Sequence, residues 1–372
     1  MAVTPVTRCT YLLRDELDFA LKLLHQQDLT KSFVFSPMSI SMAMALAHAG
    51  AKDETREEIR NVLLKLRETE HGAEVNVANR LFIKNGYPKK SYLKEVQKLY
   101  NASASNLNFD DTKRSAKVIN KFASDNTKGK INKIISPEAL KGIKVVICNA
   151  IYFKAKWLKI FEDSWEVSFF SAKKTSRQVE FLHMCEMTKF NENAHFKVIS
   201  MPYKDENFAL AIFLPKKRFA LKKALKSLDS ASILQLLTSF SECFVKIAIP
   251  KWSIETDMDI GAALQDLGIK DAFDNCAANF EDMYTSAGGD PLYISKALHK
   301  AIIEVCGRYD SEGSKFFDFK VDKMGTTAAA VTSLMYTDGV PQLPEHVEFW
   351  ADHPFMFVLT HNNHPMFMGI YN

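Results

Sequence analysis

Much of what would mark an enzyme or a membrane protein is missing from this chain. No stretch of its 372 residues approaches the roughly 18 consecutive apolar residues of a membrane-spanning helix. There is no Gly-x-Ser-x-Gly, no His-Glu-x-x-His, no Walker loop and no Gly-x-Gly-x-x-Gly. With them go the local signs of a nucleophile elbow, a zinc site or a phosphate cradle, so no catalytic residue, metal or cofactor is expected. The six cysteines (Cys9, Cys148, Cys185, Cys243, Cys276, Cys306) form no Cys-x-x-Cys and no zinc spacing, and read as reduced thiols. A net charge of +4 is too mild to argue for nucleic acid. The first eight residues lack an apolar signal region. The chain is therefore expected to be leaderless, cytoplasmic or released without a recognisable signal, with extracellular action left open. One sequon, Asn101-Ala-Ser103, matters only in a secretory route.

Repeats, low-complexity tracts and linkers are absent too, and 47% of the chain is apolar. This reads as one α+β domain over residues 1–372. Helical periodicity marks residues 14–27 (Leu17, Ala20, Leu21, Leu24) and 117–128 (Val118, Ile119, Phe122), the latter with Gly129 as a C-terminal stop. Residues 39–49 are small and apolar throughout, as a closely packed buried helix would be. Residues 145–153 are apolar on both faces, the pattern of a strand covered on both sides. Further strands are read at 208–214, 244–249, 292–294, 355–359 and 367–370, so helices crowd the first third and strands the rest. The basic cluster at Lys216, Lys217, Arg218, Lys222, Lys223 and Lys226 offers a weak polyanion site. Its simpler reading is the solvated face of a short helix whose apolar stripe is Phe219, Leu221, Ala224, Leu225 and Leu228.

One segment does not fit an ordinary domain. Residues 325–337 carry no charge and no proline, and begin Gly325-Thr326-Thr327-Ala328-Ala329-Ala330. Exposed loops use Gly, Pro, Asn, Asp and charge; this stretch is written like a strand for a sheet interior. One face (Thr326, Ala328, Ala330, Thr332) is small enough for a crowded site. It runs into Asp338-Gly-Val-Pro-Gln-Leu-Pro344, which reads as extended loop. Such a chain is suited to being cut and then inserted.

Its surroundings carry a resemblance. Phe35-Ser-Pro-Met-Ser-Ile40, Asn149-Ala-Ile-Tyr-Phe-Lys-Ala-Lys-Trp157, Ile249-Pro-Lys-Trp252, Ser295-Lys-Ala-Leu-His-Lys300 and Ala351-Asp-His-Pro-Phe-Met-Phe-Val-Leu359 occur in this order. Together they resemble the serpin family from about residue 10 to the C-terminus. The resemblance implies a large central β-sheet with further sheets, about eight or nine helices and an exposed reactive-centre loop at 325–344. It implies a hinge at 325–330 and a gate beneath the parting sheet made of Ser36, Ser39, Asn149 and His299, with Trp157 under the top of the opening. Read alone, His299 is more simply a hydrogen-bonded core residue.

The function implied is that of a metastable suicide inhibitor of serine proteases, with cysteine proteases as a wider class, acting as a monomer in a covalent 1:1 complex. The alternative is a non-inhibitory serpin with a carrier, chaperone or storage role. Residues 306–324 are longer than the family's link before the hinge and read as an insertion. Lys323-Met324 stand where inhibitory members usually carry acids. Family spacing puts the scissile bond at Gly339–Val340; side-chain chemistry also offers Tyr336, Leu334 or Asp338. No Lys or Arg follows Lys323, which removes trypsin-like enzymes and leaves chymotrypsin- or elastase-like ones.

Overall fold

The computed structural model describes residues 5–63, 76–84, 87–100, 102–285, 292–306 and 346–372. Within these lie eight α-helices: α1 (Pro5–His25), α2 (Pro37–Gly50), α3 (Asp53–Leu63), α4 (Lys90–Tyr100), α5 (Thr112–Asn126), α6 (Leu221–Leu225), α7 (Ser230–Thr238) and α8 (Gly261–Asp266). A nine-stranded sheet runs in the order β1 (Phe33–Phe35), β16 (His364–Tyr371), β15 (Phe355–His361), β9 (Phe208–Pro215), β8 (Phe196–Pro202), β7 (Thr175–Glu192), β10 (Ser241–Pro250), β14 (Val347–Trp350). Its ninth strand, β6 (Asp163–Ala172), pairs with β7. A five-stranded sheet runs β11 (Trp252–Asp259), β13 (Ile294–Val305), β5 (Val145–Phe153), β2 (Asn76–Lys84), β4 (Ser103–Leu107). A small pair joins β3 (Tyr87–Pro88) to β12 (Tyr284–Thr285).

Local chemistry explains where the helices stop and start. Ser36 caps α2 by accepting from the Ser39 amide, with Pro37 in the first turn where no donor is lost. Asp111 caps α5 in the same way through Arg114. That helix ends at Asn126, and the chain then turns through left-handed Lys128 and Gly129 (φ 53° and 75°). In β16, a Cβ on Gly369 would collide with the Phe33 carbonyl and the Phe357 ring, so only glycine lets β1 approach.

Three apolar clusters hold the layers together. One joins α1, α2, α4 and α7 to the sheets. A second lies between the nine- and five-stranded sheets, with Trp252 against Phe355, Phe357 and Tyr371. In the third, Ala116, Ile119 and Ala123 of α5 and Ile131, Ile134 and Ile135 after it cover β2, β5 and β13. All nine residues of β5 are therefore buried, as a strand sheathed on both faces should be.

Two readings of the sequence need correction. The strand read at 292–294 runs from Ile294 to Val305. Lys296, His299 and Lys300 break its apolar pattern, but the two central ones are buried and bonded. Lys300 donates to the Lys133 carbonyl at 2.8 Å and pairs with Glu255 at 2.6 Å. Phe219 does not join the apolar stripe of α6. It is 37% exposed at φ 61°, whereas Leu221, Ala224, Leu225 and Leu228 are buried.

Candidate functional site: the seam between two parallel strands

In the five-stranded sheet β5 and β13 run parallel and bond to each other directly, Val146 opposite Lys296 through Phe153 opposite Ile303. Parallel neighbours leave a specific vacancy in the topology. A strand running opposite to both could enter between them and satisfy both edges with antiparallel ladders. The seam is closed along its length by side chains from both strands and from what lies beneath.

Midway along, five polar residues sit in a place otherwise filled with apolar ones. Ser36, Ser39, Asn149 and His299 are fully buried, and Asn79 of β2 nearly so. Each has work for its polar atoms, since a buried group left unpaired costs about 1–3 kcal/mol. The Asn149 amide donates to the Ser39 carbonyl at 2.8 Å, to Ser39 Oγ at 2.5 Å and to Asn79 Oδ1. Its oxygen faces His299 Nδ1 across the seam. The other ring nitrogen, Nε2, accepts from the Ser36 amide at 3.1 Å, which fixes the tautomer with its hydrogen on Nδ1. Ser36 Oγ donates to the Met366 carbonyl at 2.6 Å. The network thus ties α2, β2, β5, β13 and β16 at one point. Burial holds the His299 pKa down to about 3, so the ring is neutral.

At the seam's end Trp157 joins the two strands differently. Its indole N–H donates to the Cys306 carbonyl, just past β13, at 2.8 Å, and its ring stacks on Tyr203 with centroids 4.2 Å apart. On the covering side Glu304 of β13 pairs with Lys130 at 3.1 Å and Lys154 at 3.0 Å. Burial opposes its charge, yet these bonds hold its carboxyl below the usual range. Cys148, fully buried on β5, has its thiol pushed up to about 12 by burial, so it stays protonated.

The structure therefore brings Ser36, Ser39, Asn149 and His299 into one network and places Trp157 apart from them at the seam's end. Asn79, Tyr203, Lys300 and Glu304 escaped the sequence reading; Asn79 shares its strand with Asn76 and Arg80, so nothing local set it apart. The hinge 325–330, Leu334, Tyr336, Asp338, Gly339, Val340, the 306–324 insertion beyond Cys306, and Asn101 lie outside the described residues. In the basic cluster, Lys216 pairs with Glu192 and Arg218 with the buried Asp352. Among the described residues, Cys148, Cys185, Cys243, Cys276 and Cys306 form no disulfide. Among the described residues no helix is long and apolar enough to cross a membrane.

A closed parallel seam over a buried polar knot defines a class of protein, and comparison with known proteins gives the same one. The family model described as serpin (serine protease inhibitor) matches residues 15–372, and the chain belongs to that family. A serpin-like protein of Methanosarcina acetivorans is 30% identical over 365 residues, covering 90% of this chain and 80% of the relative. The leukocyte elastase inhibitor of Xenopus tropicalis is 28% identical over 384 residues, covering 95% and 94%. Among solved structures, native tengpin, a thermophilic serpin, superposes with a TM-score of 0.77 at 25% identity, covering 96% of this chain and 93% of that one. Uncleaved ovalbumin gives 0.80 at 23%, covering 97% and 99%.

Proposed function

We infer that this serpin inhibits serine proteases as a suicide substrate, with 325–344 as bait and 325–330 as the hinge of the inserting strand. The observation that carries the reading is the directly paired, parallel β5–β13 seam. It closes a position that accepts one antiparallel strand, and a segment written as such a strand follows β13 in the sequence. The protease serine attacks a carbonyl in the loop, forms an acyl-enzyme and releases a new amino terminus on the C-terminal fragment. The freed hinge then enters the seam from the Trp157–Cys306 end, Thr326, Ala328 and Ala330 passing first because they are small. The gate residues Ser36, Ser39, Asn149 and His299 must give up their cross-seam bonds as it passes. Inserting about a dozen residues supplies backbone bonds on the order of 1 kcal/mol each, so the intact form is held kinetically.

The target class is chymotrypsin- or elastase-like, with cleavage at Gly339–Val340 or at a neighbouring bond after Tyr336 or Asp338. A small residue at the bond suits a shallow specificity pocket, and relatives at 28–29% identity are named elastase inhibitors. The complex is covalent and 1:1, formed by a monomer, and extracellular proteases are within its reach. The alternative, a carrier, chaperone or storage role, draws on Lys323-Met324 ahead of the hinge. Incubation with chymotrypsin and elastase, followed by denaturing electrophoresis, separates the two. An SDS-stable band near the summed masses supports inhibition; complete conversion to clipped protein across a protease panel supports the alternative.

A further inference from the structure

A cleft of about 290 Å³ opens between α1, α3 and the turn that follows α8, on residues the insertion mechanism does not use. Its walls follow from helical spacing. Asp15, Asp18, Phe19 and Lys22 lie along one stripe of α1, three and four residues apart, and Glu58, Asn61 and Val62 do the same on α3. The floor is apolar. Phe19 is 5% exposed, and Val62 and Leu267 are half-buried and pack against the core cluster that contains it. Gly268, at φ 108°, lines the cleft without bringing a side chain into it.

The rim is charged, and unevenly so. Asp15, Asp18 and Glu58 stand against a single cation, Lys22, a net of −2 on a chain whose total is +4. Asp18 and Lys22 are one turn apart yet form no ion pair, and neither they nor Asn61 has a side-chain partner among the described residues. Glu58 uses one carboxylate oxygen, Oε2, to accept from the Lys270 and Asp271 amides, both at 2.7 Å, and keeps Oε1 free. Those bonds fix α3 to the turn, and Gln26 reaches from the end of α1 to Asp266 of α8 at 3.5 Å. The walls are therefore preformed.

We propose that this cleft binds a small organic amine whose body is an apolar ring. Charge complementarity selects the cation: its ammonium sits at Asp18 and Glu58 Oε1, while the ring lies on Phe19, Val62 and Leu267. A metal ion fits the acids less well, since no three Asp, Glu, His or Cys side chains among the described residues stand close enough to hold one. An ammonium needs only one or two acceptors, with apolar cover for its stem. Size sets the body. The volume holds about ten waters at roughly 30 Å³ each, at the small end for ligand pockets, which suits about a dozen non-hydrogen atoms. A folded partner or a long peptide is too large for it.

The test uses the intact protein and tryptamine, with titration calorimetry reading the affinity. Wild type should bind one equivalent, more weakly as NaCl rises. Indole-3-acetate keeps the ring and reverses the charge; ethanolamine keeps the ammonium and lacks the ring. Each should bind about tenfold more weakly or worse. Asp18→Asn/Glu58→Gln should cost tryptamine about tenfold or more, glutamine still offering an oxygen to the two amides. Lys22→Gln removes the one like charge from the rim and should tighten binding about threefold. Glu166→Gln/Glu206→Gln deletes as much charge from exposed positions outside the cleft and should change nothing. No binding by wild type, equal affinity for tryptamine and indole-3-acetate, equal losses in the two double variants, or weaker binding by Lys22→Gln would each overturn the site. Ethanolamine binding as tightly as tryptamine would overturn the ring. Displacement of tryptamine by CaCl2 beyond that by NaCl of equal ionic strength would hand the acids to a metal ion instead. Because neither a protease nor loop cleavage enters the experiment, failure of the inhibitor reading would leave these results standing.

Discussion

His299→Ala tests whether the polar knot is a gate or an ordinary patch of core. The ring is fully buried, accepts from the Ser36 amide at 3.1 Å and meets Asn149 Oδ1 across the seam. Truncation strands two buried polar groups, each worth about 1–3 kcal/mol. The space left by the ring adds on the order of 1 kcal/mol. Together the closed seam should lose roughly 3–7 kcal/mol, and since about 1.4 kcal/mol is a factor of ten, opening should become on the order of 100-fold easier or more. Hydrogen exchange at the β5 and β13 amides reads this, in intact protein and in protein clipped within 325–344. In the clipped form the proposed strand already lies between β5 and β13, so the Asn149–His299 bond is gone before the mutation is made. The substitution should then accelerate exchange by about tenfold or less. Equal acceleration in both forms would refute the gate and leave His299 a core residue.

Thr326→Arg places a charge at the first inward position of the hinge and should turn inhibitor into substrate, with cleavage rate kept and the covalent complex lost; an unchanged yield of complex would move the hinge elsewhere. For pH, the closed seam keeps His299 neutral, its pKa near 3, while any state exposing the ring takes a proton below about 6.5. Stability from this group is complete above that pH and falls beneath it by up to about 1.4 kcal/mol per unit. The urea midpoint should therefore drop between about pH 7 and pH 5, and His299→Gln should flatten the slope. A parallel slope in the variant would assign the effect to other groups. Mass spectrometry of the C-terminal fragment released by chymotrypsin or elastase should place its first residue between Thr337 and Pro341; a start before Ser333 would overturn the assignment of the bait.

The parts of the fold legible in the sequence are those where burial speaks through spacing. Continuous apolarity gave residues 145–153 as a strand sheathed on both faces, and β5 has these bounds. Residues 39–49, where Ala and Ser alternate with larger residues, are the body of α2. Polar residues inside strands were harder to read, because their partners come from far along the chain. Lys300 looks like the end of a strand until Lys133 and Glu255 are seen to take its ammonium. Asn79 looks like a loop residue until Asn149, 70 positions away, donates to it. β6 and the long β7 escaped because they alternate weakly and carry exposed Thr, Ser, Arg and Gln along part of their length. The gate positions were reached through resemblance rather than spacing, since Ser36, Asn149 and His299 meet only in three dimensions.

The decisive question is whether the loop enters the seam after cleavage. Thermal melting of intact and clipped protein, side by side, asks this directly. A completed six-stranded sheet gains on the order of 10 kcal/mol from new backbone bonds, which for a chain of this size should raise the midpoint by roughly 10–15 °C. Intact and clipped protein melting at the same temperature would mean that no strand is gained, and the spring would have to be abandoned.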